Sequence, residues 1–254
     1  MHLIDSHCHI DAPEFDSDRN AVLGRAHDAG VVAQVVPAVA AAGWSRLRAL
    51  AATHPELKPA YGLHPVSLDV HHPADLETLA EWIDRERPVA VGECGLDFFV
   101  EGLDPDAQRA FFRRQLELAR DFGLPVVVHA RRAVEEVIAT VRRIGRLRGV
   151  VHSYGGSAEQ ARQLRALGFR IGVGGPLTYQ RASRLRAVVA AVPLSQLLLE
   201  TDAPDQPDAA HRGERNEPSR LPAVLAAVAA ARGESLELVA EATTANAREL
   251  FGIE

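Results

Sequence analysis

Apolar residues along this chain come in short β-branched runs, separated by longer segments in which apolar and polar positions recur with a helical period. The runs are LIDSHCHI (3–10), VVAQVVPAV (31–39), KPAYGLHP (58–65), PVAVGECGLD (88–97), PVVVHAR (125–131), GVVHSYGG (149–156), FRIGVGGPLT (169–178) and LLLETDAP (197–204). Between them lie amphipathic segments such as AQRAFFRRQLELARDFG (107–123) and SAEQARQLRALG (157–168). Near-continuous apolar strands separated by helices predict a parallel sheet covered by helices. About eight such units predict an α/β fold, a TIM-type (β/α)8 barrel forming one domain over residues 1–254. An open doubly wound sheet shares this periodicity and stays open on pattern alone. A long, polar, proline-rich loop, DAPDQPDAAHRGERNEPSR, follows the eighth run, and two helical patterns close the chain.

Polar groups interrupt the apolar runs at one kind of place. His7 and His9 stand two apart in the first run, an expected strand in which such residues, with Asp5, share a face while Cys8 turns to the helices. Glu93 breaks PVAVGECG, His129 follows PVVV, His152 follows VV, and Asp202 follows LLLET. Each lies near the C-terminal end of its run, the rim where barrel active sites are built. A buried imidazole or carboxylate is costly unless hydrogen-bonded, paired or metal-bound. Four histidines and two carboxylates converging on one rim suit a pair of divalent metal ions. Singly, each is as well explained as a structural histidine or a salt bridge. Imidazole with carboxylate suits zinc, manganese or iron, and magnesium prefers oxygen.

Composition narrows the partners. The net charge is −6, so non-specific binding of nucleic acid through bulk charge is not expected and any attraction for an anion is local. The cations are nearly all arginine, with Lys58 the only lysine. Cys8 and Cys94 both lie inside apolar runs, which implies no disulfide framework and suits a reducing, cytoplasmic location. No secretory signal pattern opens the chain, and the apolar run at 31–43 is too short to span a bilayer of about 20 residues. No membrane and no obligate protein partner is expected.

The segments DSHCHID, GLHP, VGECGLD, VVVHAR, VVHSYGGS, ETDAP and RNEP occur in that order over essentially the whole chain. In this the chain resembles the TatD family of metal-dependent hydrolases, within the amidohydrolase superfamily of TIM barrels. IGVGGPLTY and LLLETDAPD are similar to its YjjV-like branch. The resemblance implies two divalent metal ions (Zn, Mn or Mg). His7 and His9 would hold one with Glu93 and Asp202, and Glu93 would bridge to a second held by His129 and His152. Where the family often has HCFTG, this chain reads His152-Ser153-Tyr154-Gly155-Gly156, and where it often has HPH, His64-Pro65 is followed by Val66. Many superfamily relatives bridge their metals with a carboxylated lysine. Lys58 lies at the wrong end of its strand for that, which leaves Glu93.

The implied activity is hydrolysis of phosphodiester bonds by a metal-activated water, as in a deoxyribonuclease of the 3′ to 5′ exonuclease type acting on DNA ends or short oligonucleotides. Asp202 is the expected general base, and His64 the group that contacts the scissile phosphate or protonates the leaving oxygen. Arg131 and Arg215 are expected phosphate contacts, with Arg212 nearby in the eighth loop; Tyr154 and Tyr179, just beyond strand ends, are read equally as stacking surfaces for a base or as core and loop packing. Asn216 is read equally as a helix cap or a substrate contact. The same water would serve hydrolysis of an ester or C–N bond, such as that of an aminoacyl-tRNA.

Overall fold

The computed structural model describes residues 1–253. Eight parallel strands hydrogen-bond in chain order. They are β1 (Leu3–Asp5), β2 (Val31–Pro37), β3 (Leu57–Tyr61), β4 (Ala90–Asp97), β5 (Val126–Arg131), β6 (Gly149–Val151), β7 (Phe169–Val173) and β8 (Leu197–Leu199). The helices between them are α1 (Arg19–Asp28), α2 (Trp44–Thr53), α3 (Asp75–Glu86), α4 (Pro105–Phe122), α5 (Val134–Ile144), α6 (Ala158–Ala166) and α7 (Ser183–Ala191), with α8 (Leu221–Arg232) and α9 (Leu236–Phe251) at the end. This is the expected (β/α)8 barrel. No helix among the described residues is long and apolar enough to cross a membrane.

Helix boundaries follow local chemistry. Asp104 caps α4 by accepting from the backbone N–H groups of Asp106 and Ala107, and Gly123 ends it at φ 67°. Ser157 and Gln160 form a reciprocal capping box at the start of α6, directly after the His152 loop.

Two apolar layers hold the barrel. The outer one packs helices on strands. The inner one gathers Ile4, Ala33, Val35, Ala60, Ala90, Val127, Val150 and Leu198 from the strands, and α9 plugs it from below with Leu250 and Phe251. Ile4, not Asp5, therefore faces the interior in β1. The Asp5 carboxylate is used on the seam between the first and last strands, where it accepts from the N–H groups of His7 and Thr201 and from the Thr201 hydroxyl. Ser6 N donates to Leu199 O and Asp202 N to His7 O across the same seam.

The apolar runs overshoot the strands. The run at 3–10 is a strand only to Asp5, that at 149–156 only to Val151, and that at 197–204 only to Leu199. His7 and His9 thus stand beyond the end of β1 rather than within it. The overshoot is buried irregular backbone at the C-terminal rim, satisfied by contacts such as Cys8 N to Val35 O and His9 N to Ala203 O.

Candidate metal centre and active site

Each candidate side chain reaches the rim from a different element. Glu93 and His129 lie inside β4 and β5, whereas His7, His9, His64, His152 and Asp202 lie in the segments just after β1, β3, β6 and β8. β4 approaches β5 closely because Gly95 has no side chain, and a Cβ there would come within 2.0 Å of His129 O.

The side chains meet around Glu93, which is 1% exposed. Its Oε2 lies 3.2 Å from His7 Nε2 and 3.5 Å from His9 Nε2. Its Oε1 lies 2.8 Å from His152 Nε2, 3.2 Å from His129 Nδ1 and 3.2 Å from His64 Nε2. Asp202 Oδ1 completes the first side at 3.4 Å from His7 Nε2 and 3.7 Å from His9 Nε2. The two oxygens of one carboxylate thus face two separate groups of ring nitrogens. Three overlapping sets are close enough to hold a metal: His7, Glu93 and His152; His7, His9 and Asp202; and His64, Glu93 and His129.

The outer ring nitrogens decide what the inner ones offer. His9 Nδ1 lies 3.1 Å from Pro37 O, and His129 Nε2 lies 2.9 Å from Asp97 Oδ2. Carbonyl and carboxylate oxygens only accept, so these nitrogens carry the protons. His9 Nε2 and His129 Nδ1 then present lone pairs to the oxygens of Glu93. Acceptors packed against acceptors in a buried site are stable only with protons or a cation among them. Imidazole and carboxylate donors in this arrangement fit divalent cations. His64 differs, because its Nδ1 accepts from Val66 N at 3.1 Å. A neutral His64 ring therefore keeps its proton on Nε2 and is built to donate rather than to ligate. Burial lowers its pKa despite the facing Glu93 and favours that neutral form.

Glu93 governs the charge of the cluster. Burial alone would raise its pKa, yet His152, His64 and His7 hold it well below the ordinary carboxylate range. Burial also opposes charge on His152 and His9, but Glu93 pushes them up to about 10 and about 9. His7, stacked on His152 with ring centroids 3.9 Å apart, is lowered to about 4 by burial and by that neighbour.

A further layer of side chains was not apparent in the sequence. Asp97 accepts from the N–H groups of Phe99 and Val100 through Oδ1 while its Oδ2 meets His129. Gln206 donates through Nε2 to Asp202 Oδ2 and accepts from Ser153 Oγ at 2.8 Å through Oε1. Glu200 is fully buried, accepts from Ser153 N, and is pushed up to about 8 by burial.

The cluster floors a basin of about 1180 Å³. Arg131, Arg132 and Arg184 line it, and none of the three forms an ion pair among the described residues. The Arg131 and Arg132 guanidinium groups lie 3.7 Å and 4.6 Å from the ring centre of Phe99. Arg184 was missed in the sequence, where it is one arginine among several on α7.

Two expected substrate contacts are placed elsewhere. Arg215 does not line the basin; it grips Asp18 through two nitrogens at 2.9 and 2.7 Å and donates to Glu14 O. It ties the eighth loop to the segment before α1. Tyr154 is 2% exposed, its hydroxyl donates to Ser157 O, and it lines not the metal basin but the cavity beside it. Asn216 is buried, donates through Nδ2 to Thr201 O and Asp205 O at 2.8 Å, and pins the eighth loop. Lys58 lies at the start of β3 and donates to Pro55 O, far in register from His64.

The family model for TatD-related DNases matches residues 4–252. The chain is 42% identical over 253 residues to the metal-dependent hydrolase YjjV of Escherichia coli (strain K12), covering 98% of each protein. The crystal structure of E. coli YjjV superposes with a TM-score of 0.95 at 41% identity, over 99% of this chain and 98% of that one. A 3′-5′ ssDNA/RNA exonuclease TatD from Klebsiella pneumoniae (strain 342) is 33% identical over 261 residues, covering 99% of this chain and 98% of that protein. With a match from the first strand to the last helix, this chain belongs to the TatD-related DNase family and is a metal-dependent hydrolase.

Proposed function

We propose that this hydrolase is a deoxyribonuclease that removes nucleotides from the 3′ ends of single-stranded or short DNA. The observation that carries this reading is the rim. Arg131, Arg132 and Arg184 stand around the carboxylate–imidazole cluster and none of them is held in an ion pair among the described residues, although Glu14, Glu135 and Asp205 share the lining. In a chain of net charge −6 they are a local attraction for phosphate, which arginine binds through its planar fork. The acidic remainder disfavours tight, processive binding of duplex. The exonuclease name borne by the Klebsiella relative agrees with this.

His7, His9, Glu93 and Asp202 would hold one metal ion, and Glu93, His129 and His152 a second. Bound there, divalent ions acidify water and neutralise charge developing on phosphate oxygens. Asp202 takes the proton of the attacking water on its carboxylate, which Gln206 and Ser153 hold in place. Water adds to the scissile phosphorus, the bond to the 3′-oxygen of the preceding nucleotide breaks, and His64 Nε2 gives its proton to that oxygen. Arg131 and Arg184 hold the phosphates in register.

The test is incubation of 5′-labelled single-stranded oligonucleotides with protein loaded with Mg2+, Mn2+ or Zn2+. Stepwise shortening from the 3′ end, abolished by chelator and by Glu93→Gln, is expected. Intact oligonucleotides with every metal, alongside turnover of an aminoacyl ester, would replace this reading with the ester or C–N alternative.

A further inference from the structure

The metal basin adjoins a second cavity of about 560 Å³, and the two share Ser153, Gly155, Gly156, Arg184 and Gln206 as a common wall. Its size falls within the roughly 300–1,000 Å³ of small-molecule sites. Tyr179, Pro176 and Leu185 give it half-buried, largely apolar sides, and Gly155 keeps it open. A Cβ on Gly155 would meet nothing within 4 Å. The Tyr179 hydroxyl is occupied by Pro207 O, to which it donates at 3.1 Å. Arg181 and Arg184, both exposed, stand at the cavity with no ion pair among the described residues.

A ligand suited to this space is a flat ring system bearing an anionic group, the ring between apolar walls and the anion toward the arginines and the metal cluster. The partition between the two spaces is the Ser153–Gln206 pair, and Gln206 also holds Asp202. A ring seated in the cavity is therefore one side chain from the group expected to activate water.

We propose that this cavity receives the base of the 3′-terminal nucleotide while that nucleotide's 5′-phosphate lies over His152 and Asp202. The proposal rests on the nuclease reading above and gives it a specificity site. Apolar walls with few free donors or acceptors make the site tolerant of base identity and intolerant of a missing base. A terminal base has a neighbour on one side only and enters a side cavity at lower cost than an internal one, so the enzyme favours ends.

The experiment compares 5′-labelled hexathymidylate with the same oligomer carrying an abasic tetrahydrofuran residue at its 3′ end. The wild-type protein should remove the thymidylate about tenfold faster or more, the scale of a lost stacking contact. Ala182→Trp fills the cavity from the start of α7 and Leu185→Trp from its side. Each should bring that ratio close to one and weaken binding of thymidine 5′-monophosphate, measured calorimetrically, by a similar factor. Circular dichroism and metal titration report whether each variant is folded. Equal rates on both ends in the wild type, or a wild-type ratio in two folded variants, would overturn the base site and leave the nuclease reading intact. Absence of cleavage of either oligomer would overturn the nuclease reading. The nucleotide titration then decides the cavity: binding lost in Ala182→Trp supports it, and no binding to the wild type overturns it.

Discussion

Asp97 Oδ2 lies 2.9 Å from His129 Nε2, on the side of the ring opposite Glu93. The carboxylate fixes which nitrogen of His129 carries the proton and leaves Nδ1 free to face the cluster. Backbone N–H groups of Phe99 and Val100 hold Asp97 in turn, and Gln108 bonds to its backbone at both N and O. Asp97→Asn keeps the shape of the side chain and can present its amide nitrogen where an acceptor is needed. Affinity for a divalent ion should fall by about 10–100-fold, the usual consequence of losing such an outer partner. Calorimetric titration of metal into the metal-free protein measures it; an unchanged isotherm would mean that His129 needs no orienting group.

His64 is distinguished from the other histidines by its bond from Val66 N. If it donates a proton rather than holding metal, His64→Ala should lower kcat by about 10²–10⁴, the contribution of a general acid. Metal stoichiometry should stay at the wild-type value. A variant that loses one equivalent of metal, read by elemental analysis after dialysis, would instead make His64 a ligand.

Arg131 and Arg184 are expected to act through phosphate. Each contact of this kind to single-stranded DNA contributes about 0.7 to the slope of log K against log salt concentration. Arg131→Ala and Arg184→Ala should each reduce that slope by about this amount, measured by fluorescence anisotropy of a labelled oligonucleotide in chelator to prevent turnover. For Arg131→Ala, a parallel loss of affinity at every salt concentration would assign the effect to its packing on Phe99 rather than to charge.

What could be read from the sequence divides on physical grounds. Strands such as VVVHAR are legible because a β-branched run between helical periods has few other readings. The positions of His129, His152 and Asp202 stand out because each interrupts such a run at its end. The lengths of the first, sixth and last strands do not, because the buried rim loops after Asp5, Val151 and Leu199 are as apolar as strands. Asp97 follows Leu96 in a run that looks like ordinary strand end, and its partner lies on the next strand, so pairing is visible only in space. Arginines are the least legible. Nothing in RNEP says that Arg215 is already taken by Asp18, and nothing in SRLR says that Arg184 faces the basin.

The contacts that tie the eighth loop to α1 set an acid limit on stability. Arg25 holds Glu217 with Nη2 2.6 Å from Oε2, and Arg215 holds Asp18. The Arg25 hydrogen bonds, against partial burial, keep the Glu217 carboxyl below its ordinary range, and the Arg215 hydrogen bonds do the same for Asp18. A depressed carboxylate adds stability that is present above its unfolded-state pKa and is lost as the pH falls through its folded value. Both contributions should therefore be intact at neutral pH and begin to be lost below about pH 4, as the pH approaches the lowered folded values. Arg25 is 47% exposed, so solvent screening limits the Glu217 pair to under about 1 kcal/mol. Glu217→Gln should lower Tm at pH 7 by no more than about 4 °C for a chain of this size. The same variant should also flatten the fall of Tm between about pH 5 and pH 3. A variant whose Tm follows the wild-type curve at a constant offset across that range would show that Glu217 acts through packing and not through its charge.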